Sequence, residues 1–127
     1  MKPATLFAAA ALVAASPALA TGTVLCQSPQ RASLRLYLVV AYTPEPMISQ
    51  VNLVGGWMDF STGAGAASPR VTQNWYDERE LKLDIVDSNA ESFVARLRTR
   101  RLQVGVYAGT LLLRGRTLRV TCRNEEM

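Results

Sequence analysis

Apolar and polar residues alternate with a period of two along most of this chain. Leu34, Leu36, Leu38 and Val40 fall on one side of an extended segment, with Arg35, Tyr37 and Val39 on the other. This spacing predicts a long strand with one buried face. It ends at Thr43-Pro44-Glu45-Pro46, where two prolines remove ladder donors and fix a turn. Ser49 to Val54 makes a second run, broken at Gly55-Gly56, and Trp57 to Phe60 a third. Ser61 to Pro69 holds only small residues without periodicity, the composition of a loop. Val71 to Tyr76 and Leu81 to Val86 follow as strands, with Leu81, Leu83 and Ile85 sharing a face.

One stretch admits two readings. Ser88-Asn89-Ala90-Glu91 has the spacing of a helix capping box, and Phe93, Val94 and Leu97 are placed for a helical stripe behind it. Phe93, Ala95 and Leu97 also alternate with Val94, Arg96 and Arg98, and Asp87-Ser88-Asn89 suits a hairpin turn, which favours a strand. Further on, Val104 to Leu113 is β-rich, with bulges expected at Gly105 and Gly109. Arg114-Gly115-Arg116 then turns the chain into Thr117 to Arg123, where Leu118, Val120 and Cys122 share the inward face. The expected fold is all-β: a small antiparallel β-sandwich or closed β-barrel of about eight strands.

The first twenty residues stand apart from this pattern. Lys2, the apolar run from Leu6 to Ala15, Pro17 and the exit Ala18-Leu19-Ala20 have the layout of a secretory signal peptide, with cleavage expected after Ala20. The apolar run is too short to span a bilayer, and Thr21-Gly22-Thr23 supplies no charged stop, so no stable membrane insertion is expected. Residues 21 to 127 then form a single all-β domain in the periplasm or outside the cell. In that setting Cys26 and Cys122 are expected to bond and to join the first and last strands. The closed loop takes in nearly the whole domain, for which chain entropy suggests a stabilisation of about 4 to 5 kcal/mol.

Charge and missing side chains narrow the chemistry. The chain has no histidine, and its two cysteines are consumed by each other, which removes the usual acyl-transfer triads and histidine-bearing zinc sites. No cofactor is implied. Asp59, Asp77, Glu78, Glu80, Asp84 and Asp87 read as solvated carboxylates rather than as an acid pair. From Thr21 to Glu91 five basic residues face eight acidic ones, whereas from Ser92 to Arg123 there are eight arginines and no acid. In an exported protein this asymmetry points to an anionic envelope component or a protein rather than to nucleic acid.

Two constellations suit binding. In the strand reading Arg96, Arg98 and Arg100 project from one face, and Arg119 of the last strand points the same way. If those strands are neighbours, a cationic stripe results that can grip carboxylates or phosphates; a helix at 88 to 99 would disperse it, and pairing with the acids at 77 to 87 would neutralise it. Trp57 and Phe60 precede the central loop, and Trp75 and Tyr76 follow it. Both tryptophans are expected in the core, with Tyr76, beside Asp77-Glu78, as the more exposed aromatic.

The early and late cysteines and the central Ser61-Thr62-Gly63-Ala64 resemble the layout of periplasmic inhibitors of c-type lysozyme. The resemblance implies a small exported β-barrel that inserts its Ser/Gly-containing loop, here Ser61, Thr62 and Gly63, into a cell-wall hydrolase. The chain departs from that pattern in having no tyrosine soon after Gly63, and Asp77-Glu78 after Trp75 where that family has a Lys-Gly pair. The expectation from the residues themselves is a non-enzymatic binding domain whose partner contacts are Arg96, Arg98, Arg100, Arg119, Trp75 and Tyr76. Inhibition of a cell-wall hydrolase and carriage of a small ligand in a barrel cavity are the alternatives, and no oligomeric state follows.

Overall fold

A computed structural model describes residues 21–41, 47–55, 57–62 and 68–125. The expected signal peptide, Gly63 and the rest of the central loop to residue 67 lie outside the described residues. Nine strands follow one another: β1 (Thr21–Ser28), β2 (Arg31–Ala41), β3 (Met47–Val54), β4 (Phe60–Ser61), β5 (Arg70–Tyr76), β6 (Glu80–Val86), β7 (Phe93–Gln103), β8 (Val106–Leu113) and β9 (Arg116–Asn124). They form one antiparallel sheet in the order β4-β3-β2-β1-β9-β8-β7-β6-β5. Every neighbouring pair except β1 with β9 is consecutive in sequence, so the chain is a meander whose two ends meet at a seam in the middle of the sheet.

The sheet curls around a single core. The inward face carries Leu34, Leu36, Leu38, Val51, Leu53, Leu81, Leu83, Ile85, Leu97, Leu111 and Leu113, all essentially inaccessible. Leu34, Leu36, Leu38, Leu81, Leu83, Ile85 and Leu97 are residues that the period-two pattern selects; Phe93, expected on the same face as Leu97, is exposed, because a register shift falls between Ile85 and Val86. The seam is closed covalently: Cys26 of β1 lies directly opposite Cys122 of β9, and the two form a buried disulfide. Such a bond belongs to an oxidising compartment. Among the described residues no helix is long and apolar enough to cross a membrane.

The fold is neither a closed barrel nor an eight-stranded sandwich, and the reason lies at β4 and β5. β4 pairs with β3 over only two positions, Asn52 with Ser61 and Leu53 with Phe60. The chain then leaves the sheet at Thr62, whose N–H donates to the Val51 carbonyl at 3.0 Å and whose Oγ1 accepts the Val51 N–H at 3.0 Å. Across the gap, the Ile48 N–H donates to the Asn74 side-chain carbonyl at 3.1 Å. A side chain thus takes the place that a backbone ladder would need for closure. The strand expected at Trp57 to Phe60 shrinks accordingly to Phe60–Ser61.

Turn chemistry accounts for the remaining boundaries. Between β6 and β7, Asp87 Oδ1 accepts the N–H groups of Asn89 (3.2 Å) and Glu91 (2.9 Å), while Oδ2 accepts the Ser92 hydroxyl (2.9 Å). This carboxylate-centred turn starts an eleven-residue strand, so the strand reading of residues 93 to 99 holds over the helical one. Arg114 and Gly115 both have positive φ (46° and 86°), the two-residue turn that matches strand twist between β8 and β9. The glycines expected to mark bulges do other work. Gly105, at φ 75°, turns β7 into β8, and Gly109 stays in register opposite Thr99. A Cβ on Gly109 would lie 2.0 Å from the Arg98 carbonyl oxygen, so only glycine allows β7 and β8 to approach this closely.

Candidate functional site

The strand register places charge in rows across the outer face. Trp75 of β5 lies opposite Lys82 of β6, Lys82 opposite Arg98 of β7, Arg98 opposite Thr110 of β8, and Thr110 opposite Arg119 of β9. One row therefore crosses five strands at right angles to the chain, about 19 Å from end to end at a strand spacing of about 4.8 Å. A parallel row runs Glu80, Arg100, Ala108, Thr121. Between the two lies a shallow groove of about 420 Å³, walled by Glu80, Lys82, Arg98 and Arg100 and floored by Thr99, Ala108, Gly109 and Thr110; Lys82 pairs with Glu80 at 3.5 Å, which leaves the arginines as the excess charge. Small residues on β8 leave this space open beside the long cationic side chains of β6 and β7.

The arginines differ in what holds them. Asp84 lies opposite Arg96 in register, and its side chain is only 7% exposed. Arg96 Nε donates to its Oδ1 at 3.3 Å, and Arg98 reaches Oδ1 through Nη1 at 2.9 Å and Oδ2 through Nη2 at 3.2 Å. Burial pushes the Asp84 carboxyl up, but the hydrogen bonds and charges of Arg98 and Arg96 outweigh it and hold the group below its ordinary value. Asp84 is therefore not the solvated carboxylate expected from its place on the outer face. It is covered by its two guanidinium partners. Arg98 also donates through Nη1 to the Leu97 carbonyl at 2.8 Å and the Leu83 carbonyl at 3.3 Å, which fixes its fork. By contrast, Arg100, Arg119 and Arg123 form no ion pair among the described residues, and all three are exposed.

The aromatics reverse the expected roles. Trp75 is 51% exposed on the outer face, whereas Tyr76 turns inward, packs on the core and meets Tyr107 with ring centroids 5.6 Å apart. The cause is a register shift between Val71 and Gln73. Without it, Trp75 would share a face with Val71, which packs on the core; one extra residue sends the indole out and the phenol in. The Trp75 ring is anchored at its edge, since Nε1–H donates to Asp77 Oδ2 at 2.9 Å, and Lys82 Nζ lies 5.8 Å from its centroid. Asp77 also accepts the backbone N–H groups of Arg79 (2.7 Å) and Glu80 (2.9 Å), which, with the indole, keep its carboxyl below the usual range. Trp57 is half-buried, packs on the core and stacks with Arg31 and Arg116, 5.1 and 4.6 Å from its ring centroid.

The other expected contacts divide. Ser61 is exposed but donates its hydroxyl to Asn52 Oδ1 at 2.7 Å, and Thr62 is buried and committed to Val51. Thr62 is therefore not presented to a partner, whereas Ser61 faces solvent with its hydroxyl bound to Asn52. Leu36, Leu38, Leu83 and Ile85 fill the interior, and none of three depressions lined by described residues is lined by them. The largest, about 570 Å³, is bordered by Glu78, Arg79, Glu80, Arg100 and Arg101 and so carries both signs of charge. Sequence reasoning missed the Trp75–Lys82 stack and the role of Asp84; only the β5–β6–β7 register reveals them. Compared with protein-family models, with curated proteins and with solved structures, the chain shows no match.

Proposed function

We propose that this chain is an exported, non-enzymatic binding domain that holds an anionic component of the cell envelope on the outer face of β6 to β9. The observation that carries the reading is the groove between the two charged rows, where three cations, Lys82, Arg98 and Arg100, and one acid, Glu80, stand over a floor of small residues with Arg119 in line beyond them. Arg98 is held by Asp84 and two carbonyls, so little side-chain entropy is lost when its remaining donors engage a ligand. Arg100 and Arg119 are exposed and form no ion pair among the described residues; Glu80, opposite Arg100 in register, pairs with Lys82 at 3.5 Å instead. The disulfide and the signal-like sequence of residues 1 to 20 support export.

Purified mature protein is expected to be retained by acidic envelope polymer at low salt and released as salt rises, because contacts between exposed charges are screened. The double reversal Arg100→Glu with Arg119→Glu should abolish retention, while Arg70→Glu, at the far edge of the sheet, should leave it intact. Undiminished retention by the double variant would refute the proposal, as would equal loss in Arg70→Glu.

A further inference from the structure

The row that ends at Trp75 says more about the ligand than its charge alone. Trp75 stands half-exposed on the outer face of the sheet, whereas the other tryptophan packs on the core. The Trp75 indole does not swing freely: its N–H is bound to Asp77, and Asp77 is bound in turn to two backbone amides of the β5–β6 turn. A rigid, amphipathic plate thus lies in direct register with Lys82, Arg98, Thr110 and Arg119. Successive members of this row are one strand spacing apart, about 4.8 Å. A pyranose ring advances an extended glycan by a similar step, one ring per strand, whereas an extended peptide presents side chains on one face only every second residue, about 6.6 Å apart, and so offers no group for each strand.

Resting on the anion-binding reading above, we infer that the ligand is an acidic glycan lying across the strands. A sugar ring stacks on Trp75, and the acid groups further along the chain meet Lys82, Arg98 and Arg119. Thr110, between Arg98 and Arg119, offers a hydroxyl for a sugar oxygen. The guanidinium forks suit carboxylates, which they bind in a bidentate way. Met47, Val54, Phe93, Leu102 and Val104 are exposed too, but none belongs to this row, and the Phe93 ring is covered by Arg96, 4.3 Å from its centroid.

Calorimetric titration of the mature protein with three probes tests the inference: de-esterified polygalacturonate, polyphosphate of matched charge, and neutral dextran. Polygalacturonate should bind roughly tenfold more tightly than polyphosphate, and dextran should not bind. Trp75→Ala should cost roughly tenfold for polygalacturonate and leave polyphosphate binding unchanged, with Trp75→Phe retaining most of the affinity. Trp75 is largely outside the core, so these variants should fold, which circular dichroism checks. Equal affinity for both polyanions, with no effect of Trp75→Ala, would overturn the glycan assignment and leave the anion-binding face standing. Failure of both polyanions to bind, or equal binding of dextran, would overturn both.

Discussion

Asp84→Asn perturbs the one buried carboxylate on the cationic face. In the native protein this group receives three contacts, at 3.3, 2.9 and 3.2 Å, from two guanidiniums that are themselves 40% and 37% exposed. Asparagine keeps one acceptor oxygen and turns the other into an amide donor facing guanidinium donors. Hydrogen bonds to charged groups contribute about 1.5 to 3 kcal/mol each, but the freed guanidiniums can regain water, so a net loss of about 2 to 3 kcal/mol is expected rather than the full sum. For a domain of this size that corresponds to a fall in Tm of roughly 10 to 20 °C. The pH dependence gives a second readout. Asp84 is held below its ordinary value of 3.8 in the folded state, so its contribution is complete above that value and is lost as pH falls through the lower folded value. Calorimetry across pH should therefore show a wide gap between the two proteins at neutral pH that narrows as pH falls below the ordinary carboxylate value of 3.8. A gap below about 0.5 kcal/mol at neutral pH, or one that stays constant into acid, would refute the role assigned to Asp84.

Other outcomes follow from the same contacts. Gly109→Ala places a Cβ 2.0 Å from a backbone oxygen and 2.7 Å from the Thr99 Cα, so chemical denaturation should show a loss of about 1 to 3 kcal/mol and amide shifts should change along β7 and β8. Reducing the Cys26–Cys122 bond, which closes a loop of sequence separation 96, should lower stability by about 4 to 5 kcal/mol in the same assay; a loss under about 1 kcal/mol would mean that β1–β9 pairing alone holds the seam. Tyr107→Phe removes the hydroxyl that donates to the Asp77 carbonyl at 2.6 Å and should cost about 1 kcal/mol without altering polyanion binding.

The parts of this fold that sequence makes legible are those governed by alternation. Leu34 to Val40, Leu81 to Ile85 and Leu118 to Cys122 each place their apolar members on the core side, and the inward position of Cys122 follows from the same rule. The opening of the sheet is not written in alternation, because it depends on two polar side chains, Thr62 and Asn74, that take over backbone hydrogen bonds. The exchange of Trp75 and Tyr76 has a similar origin. A bulge after Val71 reverses the parity of everything beyond it, and no residue there marks it. On the cationic face, the common side of Arg96, Arg98 and Arg100 is legible from their spacing. Which of them are held by Asp84 and which stand unpaired is not, since that depends on the register between β6 and β7.

The cationic face is tested most directly by residue-resolved NMR of the mature protein during titration with polygalacturonate. Saturable shifts should gather on Lys82, Arg98, Arg100, Thr110, Arg119 and the Trp75 indole, and should weaken as salt is added. Shifts that gather instead on β2 and β3, or that persist unchanged at high salt, would contradict the assignment of this face.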